Sequence, residues 1–501
     1  MRILHYNWVD YLDDENRGGG VTVYQRNLLG ALAGQDGVEL AFLSSGISYD
    51  LRARAPRWTK VRHGPQGKQA GAAARYEIVN SGVLSPAHHS FGSAAQVGHT
   101  PTLEAFYAFL EATGPWDVVH FNNLEGLPVQ VLGLKHRFPD TKVVLSLHNY
   151  YTVCPQVNLW QREDHNCTDF RAGAACVDCL PHKHSAGFLR LANAAAFRLK
   201  SAGIRPGTRL FDLAFRNAMR VGSRTVRAVS LLRRGRRGGS TTLPAAEAVP
   251  AAAYAARRAI MVAAINAGCD HVLAVSDRVG EVAVSHGIDP ALVQTSYIGS
   301  PQAASWDTTA PRDRLRRPDG TLGLGYLGYM RRDKGFFFLL DALEALPDVT
   351  AAQLYLTVAA RRGPPEAMAR LEALRPRLAG LDWRDGYAHD QLDALLAGVD
   401  LGLVPVMWQD NLPQVAIEMH ARHIPLLTSD LGGAQELGRC PDLVFRAGDR
   451  GDFAAALARV LSGQVDMVRY WQNAQAPVTM AAHVADLMRL YQGPDQRPNP
   501  S

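Results

Sequence analysis

The sequence predicts an α/β protein of two doubly wound domains, each a parallel sheet covered by helices, facing a central cleft. Short, fully apolar runs alternate with amphipathic helical patterns through most of the chain, which is how a sheet buried on both faces reads. These runs fall into two series, separated by the stretch "GSPQAASWDTTAPRDRLRRPDG" at 299–320, rich in Pro, Ser, Thr and charge. At 501 residues the chain is also too long for one ordinary core.

The first series comprises "RILHYN", "VELAFLSS", "WDVVHFNN", "KVVLSLHN" and "HVLAVS"; the second comprises "LGLGYLGY", "LYLTVA", "LGLVPV", "IPLLTSD" and "DLVFRA". Each is read as a strand. The first domain is placed at 1–300, with a helical insertion at about 180–260, and the second at 301–475; 476–501 is read as a helix ending in a frayed tail. In sheets of this kind ligands bind outside the carboxyl ends of the strands, so the interdomain cleft is the expected site.

Composition is that of a globular chain, 47% hydrophobic and 20% charged, which excludes wholesale disorder. No apolar run is long enough to span a bilayer, and the first residues read as a strand rather than an export leader. The expected location is therefore the cytosol, with reduced thiols. The net charge of +6 has a local origin: 190–258 holds fifteen Arg and Lys against two acids, and the rest of the chain is net acidic. Arg recurs there along helical patterns beside Leu, Phe and Ala, a composition suited to an anionic lipid surface. The alternatives are a solvated helical insertion or nucleic-acid binding; no aromatic interleaving for base stacking supports the latter.

Gly18, Gly19 and Gly20 follow the first strand and precede a helix expected over 21–33. Backbone N–H groups and the positive helix end then meet in a generic anion site; the alternative is a flexible loop. "GLGYLG" at 323–328 matches a dinucleotide fingerprint in spacing only, because its glycines lie within the apolar run rather than after it. Lys334, at the entrance to the next helix, suits phosphate oxygens, helped by Arg331 or Arg332; the bland reading is a solvated basic turn. In "QDNLPQVAIEMH", Asp410 and Glu418 stand eight positions apart, with Glu418 among apolar neighbours. A carboxylate there needs a partner. Ribose hydroxyls would supply one, as would an Arg or a backbone donor. N–H groups of Asn411 and Leu412 are turned toward the same place by Pro413.

Taken in order, the Gly loop, "HNYYTVCP" (148–155), "VLAVSDRV", "GYMRRDKG", "GYAHDQLDALLAGVDLGLVP" and the acid pair at 410 and 418 resemble the retaining glycosyltransferase family 4, of the two-Rossmann-domain GT-B fold, over nearly the whole chain. The resemblance implies transfer of a sugar from a UDP-, GDP- or ADP-linked donor to a glycan or lipid-linked acceptor, with retention and without a catalytic metal. It implies that Glu418 binds ribose, Asp410 the donor sugar, Lys334 and the Gly18–Gly20 amides the diphosphate, backbone at Gly386–Tyr387 the base, and that His148 lines the sugar and acceptor side. Two departures stand out: the first acid is Asp410 rather than Glu, and Tyr329 replaces the Arg usual before the Lys. The alternatives are an inactive module that binds nucleotide or glycan and, more remotely, an NAD-dependent oxidoreductase. Cys154, Cys167, Cys176 and Cys179 form C-x12-C-x8-C-x2-C, with His165 and His182 close by; the closing C-x2-C fits a structural zinc site, the alternative being unligated thiols.

Overall fold

The computed structural model describes residues 1–15, 17–65, 73–180, 185–220 and 249–493. Its strands in chain order are β1 (Arg2–Tyr6), β2 (Glu39–Ser48), β3 (Arg57–Lys60), β4 (Ala74–Val79), β5 (Val118–Phe121), β6 (Lys142–Leu147), β7 (Trp160–Gln161), β8 (His165–Asn166), β9 (His271–Ala274), β10 (Val293–Thr295), β11 (Leu322–Tyr329), β12 (Leu354–Arg361), β13 (Gly380–Arg384), β14 (Leu401–Val404), β15 (Leu426–Ser429) and β16 (Val444–Phe445). All ten apolar runs are strands. The first sheet has the order β10-β9-β6-β5-β1-β2-β4-β3, parallel except for β3 against β4; the second has the order β13-β12-β11-β14-β15-β16 and is wholly parallel. β7 and β8 form a small separate hairpin.

The strands missing from the sequence reading are β3, β4, β10, β13 and that hairpin. β4 was hidden by its own charges. Arg75 and Glu77 point into the protein, where Arg75 Nε donates to Asp10 Oδ2 at 2.9 Å and Glu77 takes the Ser48 hydroxyl. A strand whose inward positions carry paired charges does not read as apolar. β13 is a partly exposed edge strand and lacks the signal for the same kind of reason.

In both sheets the strand order reverses at the first strand, leaving a crevice between β1 and β5 and another between β11 and β14. Helix Met480–Gln492 returns to the first domain, where Tyr24 Oη lies 2.7 Å from His483 Nε2 and His120 Nδ1 lies 2.6 Å from Tyr491 Oη. Glu436, from the second domain, caps helix Asp277–Ser285 of the first: it accepts from Asp277 N at 2.9 Å and Arg278 N at 2.7 Å. One carboxylate thus satisfies two otherwise orphaned helix donors and ties the domains together.

The insertion is helical at Ala186–Ser201, at 209–220 and at Ala251–Gly268. Several of its cations are committed internally. Arg198 pairs with Asp50 at 3.1 Å, Arg257 is buried and donates to Tyr151 O at 2.6 Å, and Arg258 lies over Phe170. Arg233, Arg234, Arg236 and Arg237, the densest part of the expected surface, lie outside the described residues, as do His182 and the tail from 494. Among the described residues, no helix is long and apolar enough to cross a membrane.

Gly335, between β11 and helix Phe336–Glu344, has φ +74°, and a Cβ there would stand 1.6 Å from Pro405 O, in the turn after β14. Only glycine lets these two turns approach. Gly335→Ala should lower stability by about 1–3 kcal/mol or more, from backbone strain plus displacement of that turn. Urea unfolding of the full chain checks this; an unchanged midpoint would contradict it.

Candidate functional site

The crevice between β11 and β14 supplies the two turns that open the second domain toward the first. Lys334 comes from the turn after β11 and Asp410 from the turn after β14. They meet there as an ion pair, Nζ to Oδ2 at 2.6 Å, with the Lys334 ammonium 5.1 Å from the Trp408 ring centroid. Gly432, at φ +76°, lets the following loop rest on the Asp410 backbone: a Cβ there would stand 2.1 Å from Asp410 O. Gly433 N donates to that carbonyl at 2.9 Å. The acid is held by its backbone as well as by its partner.

Glu418 sits on helix Gln414–His420, whose N-cap is Pro413, and its side chain is 5% exposed. The loop after β13 satisfies it. Tyr387 Oη donates to Oε2 at 2.7 Å, and His389 Nε2 lies 3.1 Å from Oε1. Burial and the neighbouring carboxylate push the Tyr387 phenol far above its ordinary value, so it remains a donor. The Glu418 carboxylate raises the His389 imidazole.

The first domain supplies the opposite wall. Helix Gly19–Leu32 starts two residues earlier than the glycines suggested, with Gly18 as N-cap, and its first turn faces the second domain. Gln414 Nε2 reaches across to donate to Gly20 O at 2.8 Å. His148, after β6, packs against Tyr24 with ring centroids 4.9 Å apart and the rings tilted. Burial, then His483, push its imidazole down to about 3, so it is neutral near pH 7. The cleft between these walls has a volume of about 620 Å³. Among the buried polar atoms without a hydrogen-bond partner, His148 Nε2, Trp408 Nε1 and Asn411 Oδ1 belong to residues that line the cleft.

The cleft therefore gathers Gly19, Gly20, His148, Lys334, Gly386, Tyr387, Asp410, Asn411, Leu412 and Glu418. It does not gather the rest. Gly18 packs against Val9 and Thr22 behind the lining. Arg331 turns to Asp333 at 2.9 Å and Arg332 lies over Phe337, so neither stands in for the Arg that Tyr329 replaces. Tyr329 itself lines the cleft. Trp408 and His389 were missed: Trp408 lies two residues before Asp410, and His389 lies within a motif singled out for its backbone alone.

Cys154, Cys167, Cys176 and Cys179, the expected zinc ligands, lie near enough for their thiols to act on one another, without the sulfur spacing of a tetrahedral metal site. A tetrahedral site with Zn–S of about 2.3 Å holds its sulfurs just under about 4 Å apart, whereas among the described residues no three of these sulfurs lie within 4.8 Å of one another. Instead Cys179 donates to Gln156 Oε1 at 2.9 Å, and Cys176 and Cys179 pack with Phe91 and Tyr254. Burial, and after it the neighbouring thiols, raise Cys167, Cys176 and Cys179. The carboxylates that do converge are Asp13, Asp14 and Glu15; Asp13 is taken by Arg17 and Glu15 by Lys200.

Residues 321–463, within the second domain, match the family model described as glycosyl transferases group 1. Among solved structures, the chain is similar over 98% of both lengths to sucrose-phosphate synthase from Thermosynechococcus elongatus, at 15% identity and TM-score 0.54. It is similar to the Candida albicans trehalose-6-phosphate phosphatase N-terminal domain at 11% identity and TM-score 0.55, covering 97% of this chain and 96% of that one. It is also similar to the lipopolysaccharide outer core galactosyltransferase WaaB, at 10% identity and TM-score 0.52, covering 97% and 98%. At these identities the likeness establishes the fold, which is GT-B: two Rossmann-like α/β domains around a cleft. No curated protein matches the sequence.

The raised His389 pKa carries a stability consequence. A histidine raised on folding stabilises fully below its unfolded value, and this stabilisation is lost as pH rises through its folded value. His389→Gln should thus cost the protein more stability at about pH 5.5 than at about pH 9. Thermal unfolding of both proteins at the two pH values reads this; equal losses at both would refute it.

Proposed function

We propose that the chain is a glycosyltransferase that moves a sugar from a nucleotide-sugar donor to an acceptor hydroxyl with retention at the anomeric carbon. The observation that carries this reading is the convergence of Lys334, Asp410, Glu418 and the first turn of helix Gly19–Leu32 on one interdomain cleft. The group 1 match over the second domain supports it.

The roles follow from position. Glu418 lies deepest and takes the ribose hydroxyls. Lys334 and the first-turn amides of helix Gly19–Leu32 flank the diphosphate. As the sugar–oxygen bond breaks, the electron pair leaves with the phosphate, and this preorganised positive charge stabilises it in a site shielded from water. No catalytic metal is needed on this reading, because Lys334 and the helix end supply that charge. Asp410 lies where positive charge develops on the sugar. Its pairing with Lys334 places both changes of charge, on the sugar and on the leaving group, against one preorganised pair. His148 is neutral, so it acts on sugar or acceptor hydroxyls as a hydrogen-bonding group rather than as a cation. Which sugar and base are used is decided by contacts around Tyr329, Gly386 and Tyr387. The acceptor is a glycan or lipid-linked molecule in polysaccharide or glycolipid assembly, met by an enzyme peripheral to a membrane. In support of the last point, Leu210 and Leu213 are 61% and 55% exposed beside Arg209 and Arg216. An inactive nucleotide-binding module is the alternative, and donor turnover separates the two.

Two tests follow. Glu418→Gln should weaken binding of donor and product diphosphate alike, because both carry ribose. Asp410→Asn should leave product affinity nearly unchanged and cut turnover by about a hundredfold or more. Turnover and nucleoside-diphosphate titration on each variant decide; a loss of nucleotide affinity in Asp410→Asn as large as in Glu418→Gln would refute the division. The protein should also bind anionic vesicles more tightly than neutral ones, and less so as salt rises. Leu210→Ser with Leu213→Ser should reduce this in a sedimentation assay. Equal binding to both vesicle types removes the membrane contact.

A further inference from the structure

We propose that Tyr387 and His389 form a latch that competes with the ribose hydroxyls of the donor for the Glu418 carboxylate, so that the nucleotide must open the loop after β13 to bind. The inference rests on reading Glu418 as the ribose-binding acid.

A carboxylate 5% exposed cannot stand alone. Here each of its two oxygens has a donor from within the chain: Tyr387 Oη on Oε2 at 2.7 Å and His389 Nε2 on Oε1 at 3.1 Å. A vicinal diol also offers two adjacent hydroxyl donors to one carboxylate. The chain's donors and the ribose therefore address the same two acceptors. Tyr387 lies on the loop after β13 and His389, two residues on, opens the short 3-10 turn His389–Gln391, whereas Glu418 stands on helix Gln414–His420, so one displacement of this segment frees both oxygens together. The loop leaves β13, an edge strand with one sheet neighbour, and turns at Gly386 with φ +76°. The His389 side chain is half exposed, so water can take over its hydrogen bond when the loop moves. Arg422, also near the carboxylate, is engaged elsewhere: its guanidinium binds the Glu418 backbone carbonyl, Asp393 and Gln302.

The charged and titratable groups facing His389 are Glu418, which raises its pKa, Arg422, which lowers it, and Asp390, which raises it; the Tyr387 ring lies 6.4 Å away. Those facing Tyr387 are Glu418, Tyr329 and Arg422. Protonated His389 holds the acid as a charge-assisted pair, and neutral His389 holds it less firmly. The latch is then tighter at lower pH. The buried acid keeps a partner in either state, which avoids the cost of leaving it unpaired.

The test is calorimetric titration of the full chain with UDP, GDP and ADP. Whichever nucleotide binds should bind Tyr387→Phe and His389→Gln each roughly three- to tenfold more tightly than wild type, the net span of one ordinary hydrogen bond. Glu418→Gln should bind it more weakly. Lowering the pH from about 8 to about 6 should weaken binding to wild type relative to His389→Gln; the ionisation of the nucleotide's terminal phosphate is common to both and cancels. Circular dichroism checks each fold. Should Tyr387→Phe fail to fold, His389→Gln, altered at a half-exposed side chain, and the pH series still decide. Unchanged or weaker binding to the folded variants, or a wild-type to His389→Gln affinity ratio constant with pH, overturns the latch while Glu418 keeps its role. Binding by the variants but not by wild type supports it strongly. Failure of every protein to bind any of the three nucleotides sinks the latch together with the donor-site reading.

Discussion

A carboxylate removed from water must find donors, and the cleft is organised around two that have done so. Asp410 takes the Lys334 ammonium and Glu418 takes a phenol and an imidazole. Neither arrangement is local in sequence: Lys334 and Asp410 lie 76 residues apart, and Tyr387 and Glu418 lie 31 apart. The turns after β11 and β14 and the loop after β13 are therefore held together by the acids as much as by the sheet. Removing one partner leaves a buried charge, which costs far more than the pair contributes. The same groups that complete the fold are those a bound nucleotide-sugar would address.

The strand order makes this meeting possible. β11 is flanked by β12 and β14, so the connections leaving it and β14 run to opposite faces of the sheet and their carboxyl ends part. Gly335 and Gly432 then allow closer backbone approach than any side chain permits. The result is a crevice whose walls are turns and helix starts, the parts of an α/β fold with uncommitted N–H groups.

The first domain fixes the other wall through a buried polar seam. Helix Met480–Gln492 reaches Tyr24 through His483 and His120 through Tyr491, and Tyr24 in turn backs His148. Burial lowers the pKa of all four seam histidines, His5, His120, His148 and His483, so the seam is uncharged and joins the domains by hydrogen bonds and ring contacts. On the far side Glu436 caps helix Asp277–Ser285. An apolar cluster runs through both domains, and these polar contacts, which depend on position, add to it.

Read alone, the sequence determined the two parallel sheets, because an apolar run of strand length between amphipathic helices has few other solutions. It also placed the acids, Lys334 and His148 in one cleft, because the carboxyl ends of parallel strands share one side. It failed where a side chain's meaning depends on a distant partner. β4 was hidden because Arg75 pairs with Asp10 and Glu77 accepts from Ser48, partners out of reach of any local pattern. Arg331 looked like a phosphate ligand until Asp333 claimed it. The four cysteines of the expected zinc site do come near one another, but spacing along a chain does not fix where sulfurs point, and Cys179 turns to Gln156. His389 gained a role only when the loop after β13 was brought against a helix 25 residues further on in the chain. Patterns of burial are written locally, since each residue carries its own hydrophobicity. Pairings of charge are decided by the tertiary structure, since an ion pair is a property of two residues and the distance between them.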